Sequence, residues 1–222
     1  MGGTGQKHSK LFRPVDVSGA GIDFVHRWNP PAKHRDQLTN AFSGAGVAAG
    51  DYDQDGYPDL FICGLTNGGQ LFRNLGNFNF ANRSSLLKPP APAGTWATGS
   101  LWADVDNDGW LDLYVCGFDC PNRLYLNRPE GGGRVLVESA SVLGVDFSGA
   151  SIVGTFADYD RDGDLDLFLV TNRLPAPDSL LNEPFSLSRG PNGEPVLPEA
   201  FRQYADVIVL PAGKGLKKID SG

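Results

Sequence analysis

Short apolar runs separated by polar loops recur along the chain. Val47 to Ala49 and Leu101 to Ala103 each run into such a loop, and Leu60 to Cys63 and Leu111 to Cys116 leave it. Runs of this length, bounded by glycine, are too short for helices, so each pair predicts the two strands of a hairpin. "LFRN" and "LYLN" predict a third strand, and "FNF" and "RVLVES" a fourth.

The same pattern returns. Setting "GVAAGDYDQDGYPDLFICG" over "GSLWADVDNDGWLDLYVCG" and "VGTFADYDRDGDLDLFLVT" aligns Asp51 with Asp104 and Asp158, 53 and 54 residues apart. Beyond the acidic loop, Asn74 and Asn127 each follow the last aspartate by 15 residues, and Asn182 follows it by 16. One four-stranded sheet cannot bury both faces alone, so units repeating at this period stack around an axis as propeller blades.

The expected fold is therefore all-β: a partial β-propeller of about three to four four-stranded blades. Residues 1–40 are expected to form a leading segment that contributes a strand, through "FRPVDVSGAGIDFVH". Residues 41–95, 96–148 and 149–222 are expected to form three successive repeats of a single propeller domain. After Asn182 no further acidic loop occurs, so either the third repeat carries an insertion to Gly222 or the chain is a piece cut within a blade. The second alternative is the expectation. The proline-rich stretches 88–92 and 174–198 read as loops between or within blades.

Composition supports tight turns and short strands, with 29 Gly and 16 Pro against 1 Met. A net charge of -7, with no basic cluster beyond Lys214 to Lys218, argues against nucleic acid as a partner. No apolar run is long enough for a membrane span, and "MGGTGQKHSKLF" resembles no signal peptide. Gln6 also breaks the myristoylation pattern. Of the three cysteines, Cys63 and Cys116 read as buried thiols on strands, while Cys116 and Cys120 are near enough in sequence for a local bridge. Cysteine usage leaves the redox compartment open.

The acidic loops change the picture most, because they hold 13 of the 26 acidic residues. Two like charges about 4 Å apart repel by roughly 1 kcal/mol in water and about 4 at a surface-like dielectric. Carboxylates at loop positions one, three, five and nine, with glycine at six, therefore call for a cation. The candidate ligands are Asp51, Asp53, Asp55 and Asp59; Asp104, Asp106, Asp108 and Asp112; and Asp158, Asp160, Asp162 and Asp166. Tyr57, Trp110 and Asp164 would add main-chain oxygens, with the Asp164 side chain turned to solvent.

All-oxygen sets of this size suit calcium better than magnesium, and the absence of His and Cys argues against zinc or copper. About three calcium sites follow. The loops are not EF-hands, since position twelve is Ile62, Val115 or Leu169 rather than glutamate. A metal-free Asp/Gly turn would explain one loop, but it does not require carboxylates at the same four positions three times.

"GDYDQDGYPDLFICG" followed by "LFRNLGNFNF" resembles the FG-GAP/VCBS repeats of integrin-α-type β-propellers. More narrowly, the chain is similar to the cartilage acidic protein family, in which such repeats precede an ASPIC/UnbV domain. The resemblance covers about residues 11–182. It implies a calcium-stabilised, non-enzymatic binding or adhesion scaffold at an extracellular, periplasmic or cell-surface location. Its ligand would be a protein or a carbohydrate held at the blade-top loops. Family members usually have about seven blades, the ASPIC/UnbV domain and an export signal; their lack here supports a truncated chain. A different class, a polysaccharide-acting lyase or hydrolase on the same scaffold, would need an acid/base pair outside the loops. A calcium sensor would instead change shape on binding.

Other features carry less. "GAGVAAG" has Ala49 where a dinucleotide fingerprint needs its third glycine, so Gly44, Gly46 and Gly50 read as close-packing positions. His8, His26 and His34 form no metal or catalytic spacing, and Ser43 and Ser100 lie in no nucleophile elbow. Trp96, Trp102 and Trp110 read as blade core, and "NRS" at Asn82 to Ser84 is a glycosylation sequon.

Overall fold

The computed structural model describes residues 14, 16, 18–26, 45–172, 188–191, 195, 196, 198, 199, 206–209 and 216–219. Blade 1 is an antiparallel meander of β1 (Val47–Gly50), β2 (Asp59–Ile62), β3 (Gln70–Asn74) and β4 (Phe80–Asn82). A two-residue strand, β5 (Leu87–Lys88), follows. Blade 2 repeats the meander with β6 (Ala97–Ala103), β7 (Asp112–Pro121), β8 (Arg123–Glu130) and β9 (Gly133–Glu138), and β5 adds to β9 in parallel. After a short helix, α1 (Ala140–Leu143), the hairpin of β10 (Ser148–Ala157) and β11 (Asp166–Asn172) begins blade 3.

The hairpin register is the same three times. Gly50 pairs with Asp59, Ala103 with Asp112, and Ala157 with Asp166, so each acidic loop closes the first two strands of its blade. The strand period of two then divides each blade into two apolar faces. On β7, Leu113 and Val115 join Tyr52, Phe61, Cys63 and Leu71 in a core between blades 1 and 2. Tyr114 and Cys116 point the other way, into a second core with Phe156, Leu167 and Leu169 of blade 3. Blade 2 is thus covered on both sides, as a propeller blade must be.

The first strands of the blades meet almost backbone to backbone. The Gly46 N–H donates to the Thr98 carbonyl at 2.7 Å, and the Thr98 hydroxyl donates to the Ser151 carbonyl at 2.7 Å. A Cβ on Gly46 would stand 2.8 Å from the Gly99 Cα, and one on Gly99 would stand 2.4 Å from the Ile152 oxygen. Glycine is required at both places because the neighbouring main chain fills the space. Gly50 packs against the Trp102 indole; Gly44 lies outside the described residues.

Several features depart from expectation. The far end of β7, Phe118 to Pro121, pairs with the start of β10 and so carries blade 2 across to blade 3. Within the proline-rich stretch read as a loop, β12 (Ser188–Arg189) and β13 (Pro195–Val196) form a small hairpin. A further hairpin joins β14 (Asp206–Val209) to β15 (Leu216–Ile219). Residues 18–26 of the leading segment contain no strand; there the Ala20 carbonyl accepts the Phe80 N–H at 2.7 Å. Cys63 and Cys116 are buried thiols, as expected, and all three cysteines are free, so the alternative bridge between Cys116 and Cys120 does not form. Burial pushes the Cys63 thiol up to about 11 and that of Cys116 up to about 12. Among the described residues no helix is long and apolar enough to cross a membrane.

Trp96 is buried beside Leu65 and Phe118, and Trp102 stacks on Tyr52 with ring centroids 6.0 Å apart. Trp110 is not core: it stands at the second loop with the Arg134 guanidinium 4.0 Å from its ring centre. His8, His34 and Ser43 lie outside the described residues, whereas His26 lies in coil beside Gly64 to Asn67 and Ser100 on β6.

Candidate metal centres

Each loop is shaped by its own carboxylates accepting backbone N–H groups. Asp51 accepts Asp55 N–H at 3.0 Å and Gly56 N–H at 2.9 Å, and Asp104 accepts Asp108 N–H at 3.0 Å and Gly109 N–H at 2.8 Å. In the third loop Asp158 accepts Gly163 N–H at 3.3 Å. The chain can fold back this tightly because two residues per loop are left-handed. The glycines at position six have φ of 87 to 98°, and Gln54, Asn107 and Arg161 at position four have φ of 58 to 65°. The glycine is legible in sequence; the left-handed residue two places before it is not.

Position nine closes the hairpin from inside. Asp59 is buried and accepts Tyr52 N–H at 3.2 Å and Asn74 N–H at 2.7 Å. Asp112 is likewise buried and accepts Val105 N–H at 3.0 Å and Asn127 N–H at 2.7 Å. The repeated asparagine is thereby explained. Its backbone anchors the aspartate, and its side-chain amide donates to the carbonyl at position eight, Pro58 or Leu111. Asn127 also donates to the Tyr52 carbonyl of blade 1 at 2.8 Å, tying the second blade to the first loop. Burial, opposed by these N–H donors and aided by neighbouring carboxylates, pushes Asp59 and Asp112 up to about 6.

Three sets of carboxylate oxygens converge to within 4.8 Å: Asp51, Asp53 and Asp59; Asp104, Asp106 and Asp108; Asp158, Asp160 and Asp166. Asp55, Asp112 and Asp162 fall outside these sets. The donors are oxygen throughout, and Asp53 Oδ1 is buried without a hydrogen-bond partner, so the sets fit a hard divalent cation. Tyr57, Trp110 and Asp164 each donate their N–H to the position-five carboxylate at 2.9 Å. The Asp164 side chain, expected in solvent alone, accepts from Asn107 Nδ2 at 3.3 Å.

Sequence reasoning missed two kinds of residue here. Gln54 Nε2 donates to the Gly109 carbonyl at 2.7 Å and Asn107 Nδ2 to the Gly163 carbonyl at 3.3 Å, so position four links each loop to the next. Arg73 and Arg128 form ion pairs with the loop carboxylates. A basic residue beside the repeated asparagine was the available signal for the second kind.

A family model described as an FG-GAP-like repeat matches twice, over residues 51–115 and 104–169. Each match starts at the first aspartate of one loop and ends in the second strand of the next blade. The chain belongs to the FG-GAP-like repeat family. Cartilage acidic protein 1 of Mus musculus is 30% identical over 160 residues, which is 71% of this chain and 24% of that protein. The Homo sapiens protein of the same name is 31% identical over 161 residues, 70% of this chain and 23% of its own length. The FG-GAP-like chain thus spans about a quarter of the length of the curated relatives it matches.

Proposed function

We propose that the chain is a calcium-stabilised propeller module that acts as a binding scaffold, non-enzymatic and working outside the cytoplasm. The observation that carries this reading is the threefold convergence of carboxylates at the same hairpin of successive blades. Asp51, Asp53, Asp55 and Asp59, with their counterparts in the second and third loops, would hold the ions, and Tyr57, Trp110 and Asp164 would add main-chain oxygens. Calcium would supply fixed positive charge there. Because the unfolded chain scatters these ligands, an ion bound only to the folded hairpin stabilises it by mass action. Repeats 41–95, 96–148 and 149–222 would present their loops along one edge to a protein or carbohydrate ligand. Ligand binding would depend on calcium without direct contact between ion and ligand. The likeness to cartilage acidic protein 1 supports the location.

A thermal melt in EDTA against millimolar calcium, with magnesium as control, tests this. The expected outcome is a calcium-specific rise of several degrees, part of which is lost in Asp55→Ala and in Asp108→Ala. No shift in a folded chain would overturn it. Turnover of an acidic or neutral polysaccharide would overturn the non-enzymatic part.

A further inference from the structure

The first and second loops each carry a guanidinium across the same two carboxylates. Arg73, on β3, places Nε 2.5 Å from Asp53 Oδ2 and Nη2 2.8 Å from Asp55 Oδ2. Arg128, on β8, pairs with Asp106 Oδ2 and stands 2.9 Å from Asp108 Oδ2. Both arginines span positions three and five. They reach them from different places in the repeat, Arg73 from just before Asn74 and Arg128 from just after Asn127. The target is therefore shared while the strand position is not, which marks the loop's charge as the common cause.

The third loop differs. Among the described residues no cation pairs with Asp160 or Asp162, and the loop is looser. Its glycine N–H lies 3.3 Å from Asp158, against 2.9 and 2.8 Å in the other two. Asp162 N–H turns to Asp160 at 3.3 Å, whereas its counterparts reach the first aspartate at 3.0 Å.

We propose that Arg73 and Arg128 are tethered counter-ions that hold the first two loops in shape without metal and weaken divalent-cation binding there, which leaves the third loop as the tightest site. This rests on the calcium reading above. A fixed positive charge shared between positions three and five lowers the field that an arriving dication feels, and it engages carboxylates of the converging sets, Asp53 in the first loop and Asp106 and Asp108 in the second. Among the described residues the third loop's carboxylates carry no such discount, and in exchange the loop depends on the ion for its shape.

Calorimetric calcium titration of the chain, paired with melts in EDTA, separates the outcomes. Wild type should show one tight and two weaker sites, and Asp160→Asn should remove the tight one. Arg73→Gln with Arg128→Gln should tighten the two weaker sites roughly tenfold or more while lowering the melting temperature in EDTA. A residue needed only for packing would lower both. Arg73→Lys with Arg128→Lys keeps the charge and should keep the wild-type pattern. Three equal sites in wild type, or weaker calcium binding in the glutamine variant, would overturn the proposal and leave the calcium reading standing. No calcium heat in wild type or variants would overturn both.

Discussion

Blade 2 and blade 3 are built from aligned sequence, yet Tyr114 is fully buried while its counterpart Phe168 is 46% exposed. Cys116 is likewise buried where Val170 is 55% exposed, and in blade 1 Tyr52 is 2% exposed where Tyr159 of blade 3 is 77%. The aligned side chains are alike in being aromatic or apolar, although the Tyr114 hydroxyl also donates to the Val145 carbonyl at 2.9 Å. Among the described residues a following blade lies over this face of blade 2 and none lies over that of blade 3, so an apolar residue in a repeat is core by virtue of its neighbour. The inner strands add a second contrast. Gly46 and Gly99 stand where the next strand approaches closely, whereas the aligned residue of blade 3 is Val153, which is exposed.

The comparison breaks most readily at the aromatic pair. Tyr114→Ala should cost about 3–5 kcal/mol and Phe168→Ala about 1, read from urea unfolding. Equal costs would mean that the blade 3 face is covered in solution. Next, Gly99→Ala should destabilise by about 1–3 kcal/mol because its Cβ has no room beside Ile152, while Val153→Ala should change stability by less than about 1. A tolerated Gly99→Ala would show that the inner strands can separate.

The two asparagines sharpen it further. Asn127 is buried and its side chain joins Tyr52, Leu111 and Arg134, whereas that of Asn74 donates to Pro58 and accepts Gly76 N–H. Asn127→Ala should cost about 2 kcal/mol and Asn74→Ala about 1 in the same assay.

The smallest effect is in pH. Asp59 and Asp112 titrate higher in the folded chain than the ordinary 3.8, at about 6. The folded state therefore takes up these protons first, and their contribution to stability rises as pH falls through about 6 toward 4 and is lost above it. In EDTA, wild type should gain slightly on an Asp59→Asn/Asp112→Asn variant between about pH 7 and about pH 5. A loss would show that the N–H donors outweigh burial.

Much of this was legible because the repeat makes three independent readings of one local device. The aspartates at positions one, three, five and nine, the glycine at six and the hairpin strands on either side all follow from short-range chemistry. The spacing makes the position-nine aspartate an ion ligand, yet in the second loop it lies outside the converging set, held by two backbone N–H groups. The sequence groups Trp110 with Trp96 and Trp102 as blade core, but it faces the loop with Arg134 over its ring. The linking role of Gln54 and Asn107 was not readable, since each depends on a carbonyl about 55 residues away.

By itself, the sequence determined the strand menu, the turn at each acidic loop and the oxygen-only character of the clusters. These depend on residues within one hairpin, where sterics and charge act at short range. Only the tertiary structure decided which apolar faces are buried, which glycines are indispensable and which carboxylates carry an arginine. The first two depend on how one blade lies against the next, which brings together residues some fifty positions apart; the third depends on the third strand of the same blade folding back over its own loop, about twenty positions away.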